Sequence, residues 1–267
     1  MTEYFTFKQE KIAFTQQGKG RCIVLLHGFL ESKNTWNNTI EELSKKFKVV
    51  AVDLPGHGES ASYGYVHTME LMAESVKALL DHLRLRKYVL VGHSMGGYVT
   101  LAFAENFPDY IKGLVLFHST AASDTDEKKT DRDKAIRLVK RTPHKYIAEA
   151  VKRLFAPHNL ETLSDKVKFA QDIAMQTTQQ GIIDALEGMK IRPNREVVLK
   201  FVDYPVLFIN GKYDLVIPYE NIQHQLQLAH QTETLLLENS GHMGFFEEPE
   251  KSMKAINKFV RKSFGKK

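Results

Sequence analysis

The chain has 267 residues, of which 43% are hydrophobic and 26% charged, and its formal net charge is +5. This balance is typical of globular proteins, and the length is sufficient to bury a core without disulfides. Acidic and basic residues are mixed along the chain, which argues against a nucleic-acid-binding surface. No apolar run approaches the ~20 residues of a membrane span. The single cysteine, Cys22, lies in an apolar run and is expected to be a buried strand residue. With no signal-like N-terminus, these features favour the cytoplasm.

The predicted elements alternate between strands and helices along most of the chain. The predicted strands are residues 4–7, 11–15, 21–26, 48–52, 87–91, 113–117, 206–209 and 233–237. The predicted helices between and after them are residues 33–46, 68–83, 95–107, 219–229 and 249–263. This alternation predicts an α/β fold with a mainly parallel eight-stranded sheet and helices on both of its faces.

The alternation stops between the sixth and seventh predicted strands. Residues 123–200 carry four helical patterns and no convincing strand. We therefore expect a core domain formed by residues 1–119 and 201–267, with residues 120–200 inserted as a helical cap, or lid. The charged stretch that opens the insertion has interleaved acidic and basic residues, which is typical of a solvated helix face.

The sharpest local signal is the pentapeptide Gly92-His93-Ser94-Met95-Gly96 between a predicted strand and a predicted helix. It fits the G-x-S-x-G nucleophile elbow, in which a sharp turn exposes the serine side chain. Side chains at the flanking glycines would collide with neighbouring elements. Met95 begins the helix, so its free backbone N–H can point at a developing oxyanion. Ser94 is accordingly the candidate nucleophile.

This motif in this context resembles the α/β-hydrolase superfamily, in its lidded branch of esterases, lipases and carbon–carbon hydrolases. The resemblance implies that Phe29, which follows the His27-Gly28 pair after the third strand, shares the oxyanion hole with Met95. It also assigns residues 53–60 to the loop after the fourth strand, in which Asp53 braces the turns. Leu30, in the loop after the third strand, and His118, at the end of the sixth, are candidate substrate contacts, although His118 also fits a hydrogen-bonded loop residue.

The base and the acid follow from position, because ligands bind beyond the carboxyl ends of strands in open α/β sheets. His242 follows the last predicted strand, whereas the histidines that lie on helical patterns are more simply explained as solvated. Asp214 lies in the turn after the seventh strand and completes the order Ser, Asp, His of this fold. Asp124, after the sixth strand, is the alternative acid.

These residues predict a serine hydrolase that cleaves a carboxylic ester of a small uncharged molecule, a carboxylesterase. A thioester, lactone or carbon–carbon hydrolase with the same triad, or a small-molecule receptor with this fold, is the alternative. No metal-ligand set, phosphate loop or dinucleotide motif is present in the sequence, so we expect no metal and no cofactor. The expected partner is the substrate alone, bound by a monomer or a homodimer.

Overall fold

A computed structural model describes residues 1–265 and contains one eight-stranded sheet. The strands are β1 (Glu3–Phe7), β2 (Glu10–Gln17), β3 (Cys22–Leu26), β4 (Lys48–Val52), β5 (Tyr88–His93), β6 (Ile111–Phe117), β7 (Val206–Gly211) and β8 (Thr232–Leu237). Every predicted strand is present, with ends shifted by at most two residues. Their apolar side chains account for this agreement, since β3 and β5 are buried along their whole length.

The sheet brings the carboxyl ends of its central strands to one edge. The strand order is β1-β2-β4-β3-β5-β6-β7-β8, with β2 antiparallel to both of its neighbours and all other pairs parallel. Leu26 of β3 pairs with Gly92 of β5, and His93 pairs with Phe117 of β6. Successive strands are added on one side from β3 to β4 and on the other side from β5 onward, so the strand order switches between β3 and β5. Such a switch point is where open α/β sheets bind ligands.

Ten α-helices accompany the sheet within residues 1–265. They are α1 (Asn37–Ser44), α2 (Met69–His82), α3 (Met95–Asn106), α4 (Asp126–Arg141), α5 (Pro143–Lys152), α6 (Ser164–Ala174), α7 (Gln179–Ile191), α8 (Glu196–Phe201), α9 (Gly244–Glu247) and α10 (Pro249–Ser263). Helix α1 packs against α10, and α2 packs against α3. The eight-stranded sheet and its helices confirm the predicted fold class.

Two predicted helices differ from the structure. Residues 33–46 begin as a 3₁₀ turn, Lys33–Trp36, before α1. Residues 219–229 form two separate 3₁₀ turns, because Ile222 between them adopts φ −110° and ψ −6°, which interrupts a regular helix.

The insertion between β6 and β7 contains α4 to α8, one helix more than the sequence indicates. The charged stretch that opens the insertion, expected to be a solvated helix face, is only partly solvated. Asp124 is 5% exposed and forms ion pairs with Arg132 and Arg192. The Arg192 guanidinium also lies 3.9 Å from the ring centre of Tyr98 on α3. This cluster joins the insertion to the core.

Two further features are the environment of Cys22 and the character of the helices with respect to a membrane. The side chain of Cys22 is buried in β3, where burial raises the pKa of its thiol to about 12. Among the described residues, none of the helices combines the length and apolar character needed to cross a bilayer.

Candidate active site

The turn that carries Ser94 is strained and tightly packed. Ser94 has φ 50° and ψ −115°, outside the regions that non-glycine residues normally occupy. Its backbone N–H donates to Phe117 O at 2.9 Å, which ties the turn to the end of β6. A Cβ atom at Gly92 would lie 2.3 Å from Gly96 O, and one at Gly96 would lie 2.3 Å from Leu26 O. Glycine is therefore required on both sides of the turn, as the sequence predicts.

The loop after β3 and the start of α3 present free amides beside this turn. Ser94 and Phe29 are half-buried. Within residues 1–265, neither the Phe29 nor the Met95 backbone N–H donates to another backbone group. Leu30, which has φ 62°, is 3% exposed and packs in the core. The free amides suit an oxyanion hole, whereas the packing of Leu30 gives no sign of the expected substrate contact.

Asp214 and His242 form a buried hydrogen-bonded pair. The Nδ1–H of His242 donates to Asp214 Oδ2 at 2.7 Å, and the two side chains are almost fully buried. Asp214 Oδ1 accepts from the backbone N–H groups of Val216 and Ile217, at 2.8 and 2.9 Å. Burial by itself would raise the pKa of Asp214, but the attraction and hydrogen bonds of the imidazoles hold it well below its usual range. The pair therefore presents an ionised carboxylate to His242.

The other ring nitrogen of His242 is left for a reacting proton. Nε2 of His242 is buried and has no hydrogen-bond partner among the described residues. It does not bond to Ser94 in this structure, and such bonds often form only in the complex with substrate. The two loops are nevertheless linked, since His93 Nε2–H donates to His242 O at 2.8 Å.

His118 occupies a place behind the acid instead of facing a substrate. Its ring is fully buried, and its Nδ1 lies 3.0 Å from Asp214 Oδ2. Its Nε2 accepts from the Gly244 N–H at 3.2 Å, which leaves the proton of the neutral ring on Nδ1, facing Asp214. The Gly211 amide also approaches Nδ1, at 3.2 Å. Burial lowers the pKa of His118 to about 4 despite the attraction of Asp214, so His118 is neutral at pH 7.

Asp124, the alternative acid, has different neighbours. Its carboxylate accepts from Arg132 and from Arg192. Burial by itself would raise the pKa of Asp124, but these two guanidinium groups lower it. The geometry therefore favours Asp214 over Asp124 as the partner of His242.

The side chains of His27 and Asp53 brace the loops around the turn. His27 Nδ1–H donates to Gly28 O at 2.8 Å, and His27 Nε2 accepts from Leu54 N–H at 2.9 Å. Asp53 accepts from the Lys33 backbone N–H at 2.6 Å and from Lys33 Nζ at 2.9 Å. These bonds fix the two loops beside β3 and β4, in agreement with the bracing role predicted for Asp53.

Glu247, which sequence reasoning missed, connects the His242 loop to the insertion. Its Oε2 accepts from Gly241 N–H at 2.8 Å, and its Oε1 accepts from Ala156 N–H at 2.7 Å. The His242 N–H also donates to Leu154 O at 2.6 Å. The position of Glu247, five residues after His242, is a local signal, but its partner Ala156 is 91 residues away, so the sequence does not reveal this contact.

The imidazoles and the carboxylate of the site also form a compact set of possible ligands. Among residues 1–265, His118, Asp214 and His242 offer ligand atoms within 4.8 Å of one another. Asp214 Oδ2 already accepts from both imidazoles. The arrangement is therefore suited to orienting a base and moving a proton.

The fold and this site define a class of protein. The chain belongs to the α/β-hydrolase fold family, whose sequence model matches residues 21–249.

Three relatives show the range of similarity. A thermophilic esterase from Thermogutta terrifontis, solved with malate bound, is 31% identical with a TM-score of 0.93, over 98% of this chain and 99% of its own. The dihydrolipoyllysine-residue acetyltransferase component of the acetoin cleaving system of Pseudomonas putida is 31% identical over 91% of this chain, which spans only 64% of that relative. The pimeloyl-[acyl-carrier protein] methyl ester esterase of Wigglesworthia glossinidia brevipalpis is 25% identical over 90% of this chain and 93% of its own.

Proposed function

We propose that the protein is a serine carboxylesterase that cleaves an ester of a small uncharged molecule through an acyl-enzyme on Ser94. The observation that carries the proposal is the buried Asp214–His242 pair. Nε2 of His242 has no hydrogen-bond partner among the described residues, and His93, next to Ser94 in the strained turn, donates to the His242 carbonyl oxygen. Two relatives described as esterases, among them the Thermogutta enzyme, support an ester as the substrate.

The reaction follows from these positions. Ser94 Oγ attacks the acyl carbon while His242 Nε2 takes its proton, and Asp214 stabilises the resulting imidazolium. The N–H groups of Phe29 and Met95 stabilise the negative charge of the tetrahedral intermediate. Collapse of the intermediate breaks the ester bond, and His242 returns its proton to the departing alcohol. A water molecule, activated in the same way by His242, then hydrolyses the acyl-enzyme.

An uncharged substrate is favoured by the pairing of the buried cations. Within the described chain, the buried basic side chains are Lys33, Arg192 and Arg195. They form ion pairs with Asp53, Asp124 and Glu70, respectively. A carboxylate group on the substrate would thus meet no spare buried cation, and its desolvation would be uncompensated.

We also propose that residues 120–200 act as the lid of this active site. The segment 154–156 lies directly on the His242 loop, because a Cβ atom at Gly241 would approach Ala156 N to 2.5 Å. This segment of the insertion therefore packs on the loop that carries the base.

The test is covalent labelling with a fluorophosphonate probe, which reacts with activated serines. Labelling of Ser94 is expected in the wild type and in Ser44→Ala, a change in a serine of α1 away from the elbow, and should be lost in Ser94→Ala. Turnover should then be measured on a panel of esters, thioesters, lactones and β-diketones, with and without EDTA. Labelling at another serine, or full turnover by Ser94→Ala, would disprove the proposal, and a preference for β-diketones would replace ester cleavage by carbon–carbon cleavage.

A further inference from the structure

His93, the variable residue of the elbow motif, is positioned between three loops of the site. Its ring is fully buried, and the side chain of Glu31 is about 5% exposed. Nδ1 of His93 lies 2.9 Å from Glu31 Oε1, and Nε2–H donates to His242 O at 2.8 Å. The ring is thus in contact with a carboxylate on one side and with the backbone of the candidate base on the other.

Glu31 extends this connection to the loop after β3. Its Oε2 accepts from the Gly28 N–H at 2.8 Å, and its own N–H donates to Gly28 O at 3.3 Å. Gly28 directly precedes Phe29, whose N–H is assigned to the oxyanion hole. One carboxylate therefore holds the oxyanion loop and, through His93, the loop of His242.

The proton count of His93 follows from its partners. The carbonyl oxygen of His242 can only accept, so Nε2 of His93 carries a proton. Nδ1 lies 2.9 Å from Glu31 Oε1, at ion-pair distance but without an aligned hydrogen bond, and a proton on Nδ1 avoids the repulsion of two facing lone pairs. His93 is then an imidazolium paired with the Glu31 carboxylate. Burial by itself would lower the pKa of His93, but the attraction of Glu31 and the hydrogen bond to His242 O raise it above its ordinary value. Burial works in the opposite sense on Glu31, and the attraction of His93 lowers the pKa of that carboxyl.

The surroundings leave the ring little freedom. Aromatic rings of Phe245 and Trp36 meet it edge-on, with centroids at 4.8 and 6.4 Å. The titratable groups that face it, from every loop packed around it, are Glu31, His27, His118, His242 and Asp214. Of these, Glu31 is the carboxylate in direct contact with its ring.

We infer that the Glu31–His93 ion pair is a positioning device that fixes the oxyanion loop and His242 relative to Ser94. The inference rests on the proposed function, since it assigns the pair to the same site. Neither side chain touches the reacting atoms, so each acts through the groups it holds. Because errors of about 1 Å in positioning can cost about 10²-fold in rate, loss of the pair should lower kcat by roughly that factor. KM should change little.

The substitutions Glu31→Gln and His93→Gln each break the charge pairing, whereas the double variant replaces it by two neutral amides. We expect each single variant to lose about 10²-fold in kcat. The double variant should lose clearly less than the product of the single losses, because it leaves no buried charge unpaired. Glu42→Gln, which removes an exposed carboxylate paired with Lys45, is the matched control and should keep the wild-type kcat.

The protonation state gives a measurement independent of activity. Proton–nitrogen correlation spectra of the histidine side chains should show both ring nitrogens of His93 protonated in the wild type at pH 7, and one of them deprotonated in Glu31→Gln. A neutral His93 in the folded wild type would overturn the inference, whether or not the variants fold. So would Glu31→Gln with wild-type kcat and wild-type rate of Ser94 labelling. Absence of Ser94 labelling in the wild type would instead count against the proposed function, with the spectra still deciding on the ion pair.

Discussion

At the scale of single residues, Asp214 is the group on which two imidazoles converge. Its Oδ2 accepts from both His242 and His118, while its Oδ1 is held by two backbone amides. A carboxylate with four donors has one stable orientation, so the orientation of His242 depends on it. Asp124 has equally firm partners, but they are arginines of the insertion.

This contrast predicts different consequences for two equal substitutions. Asp214→Asn should lower kcat by about 10⁴-fold, because an amide favours the wrong tautomer of the base. Asp124→Asn should leave kcat near the wild-type value and lower the free energy of unfolding by about 3–5 kcal/mol, because it leaves buried arginines without their charge partner. Ester hydrolysis and urea unfolding of both variants are the measurements. A large loss of kcat in folded Asp124→Asn, with Asp214→Asn unaffected, would make Asp124 the acid.

His118 predicts a dependence of stability on pH. Its pKa is about 4 in the folded protein and ~6.5 in an unfolded chain, so between these values the unfolded state binds more protons. The free energy of unfolding should therefore fall as the pH decreases from about 6.5 to about 4, by roughly 3 kcal/mol from this residue. It should be constant with respect to His118 above that window.

Urea unfolding at several pH values measures this effect as a difference between variants. His118→Gln should show a shallower fall than the wild type, whereas His230→Gln, an exposed histidine, should follow the wild type. The buried histidines His57 and His67, whose pKa values burial lowers to about 3 and 4, contribute to the slope of all three proteins. Identical slopes in the wild type and His118→Gln would show that His118 is not buried in the neutral form.

Local patterns and distant contacts were not equally predictable from the sequence. Ser94, Asp214 and His242 could be named as candidates because each follows an apolar strand, and parallel strands place such residues at one edge. The contacts of Glu31 with His93, 62 residues apart, and of His118 with Asp214, 96 residues apart, carry no local signal. Leu30 and His118 were assigned to the substrate from their positions at strand ends, which do not reveal whether a side chain faces inward.

At the scale of elements, the central strands β3 to β7 were predictable because their apolar runs are buried on both faces. The short helix α8 and the 3₁₀ turns of residues 219–227 were not, because a few residues give too little periodicity. In the turns, Gln225 is fully buried and bonds to Ala121 N–H and Thr120 Oγ1, a contact set by tertiary packing. Short elements are thus determined by their neighbours more than by their own sequence.

The backbone of Phe155, an aromatic residue of the insertion, lies on the loop that carries the base. Phe155 is 1% exposed and stacks on Phe246 of α9, with ring centroids 6.3 Å apart. The preceding Leu154 accepts from the His242 N–H. Phe169 meets Phe246 edge-on and lines a cavity of about 220 Å³ at the seam between insertion and core. Met175, by contrast, is 37% exposed and contacts His144, also in the insertion.

These contacts predict which substitutions change substrate preference. With p-nitrophenyl esters of increasing acyl length, the wild type should show an optimum that shifts to longer chains in Phe155→Leu or Phe169→Ala, because the smaller side chains leave more space. Met175→Ala has a comparable exposure to Phe169 and is the control that should keep the wild-type optimum. Unchanged profiles in both folded phenylalanine variants would show that these side chains do not set specificity.

At the scale of the whole molecule, the insertion is attached to the core at several separate places, among them the following three. Helix α7 touches the core backbone, since a Cβ atom at Gly188 would lie 1.7 Å from His67 O and one at Gly181 2.1 Å from Gly56 O. The contact of Arg192 with the Tyr98 ring of α3, together with the ion pairs of Arg195 with Glu70 and Glu105, forms the second attachment, and the bonds of Glu247 form the third. Because the attachments lie in separate segments of the insertion, we expect it to unfold together with the core.

Two probes can separate the insertion from the core during unfolding. Trp36, the single tryptophan, is fully buried in the core, whereas far-ultraviolet circular dichroism also reports the helices of the insertion. Thermal transitions from both probes should coincide, as in a two-state transition. Gly188→Ala should lower both together, by about 5 °C or more if it costs about 2 kcal/mol, because the added methyl group has no space against His67. Ile191→Ala, at a 59% exposed position of the same helix, should leave both nearly unchanged. If Gly188→Ala instead melts the circular dichroism signal in a separate, earlier step while Trp36 stays buried, the insertion is an independent unit, and access to Ser94 is then controlled by its opening.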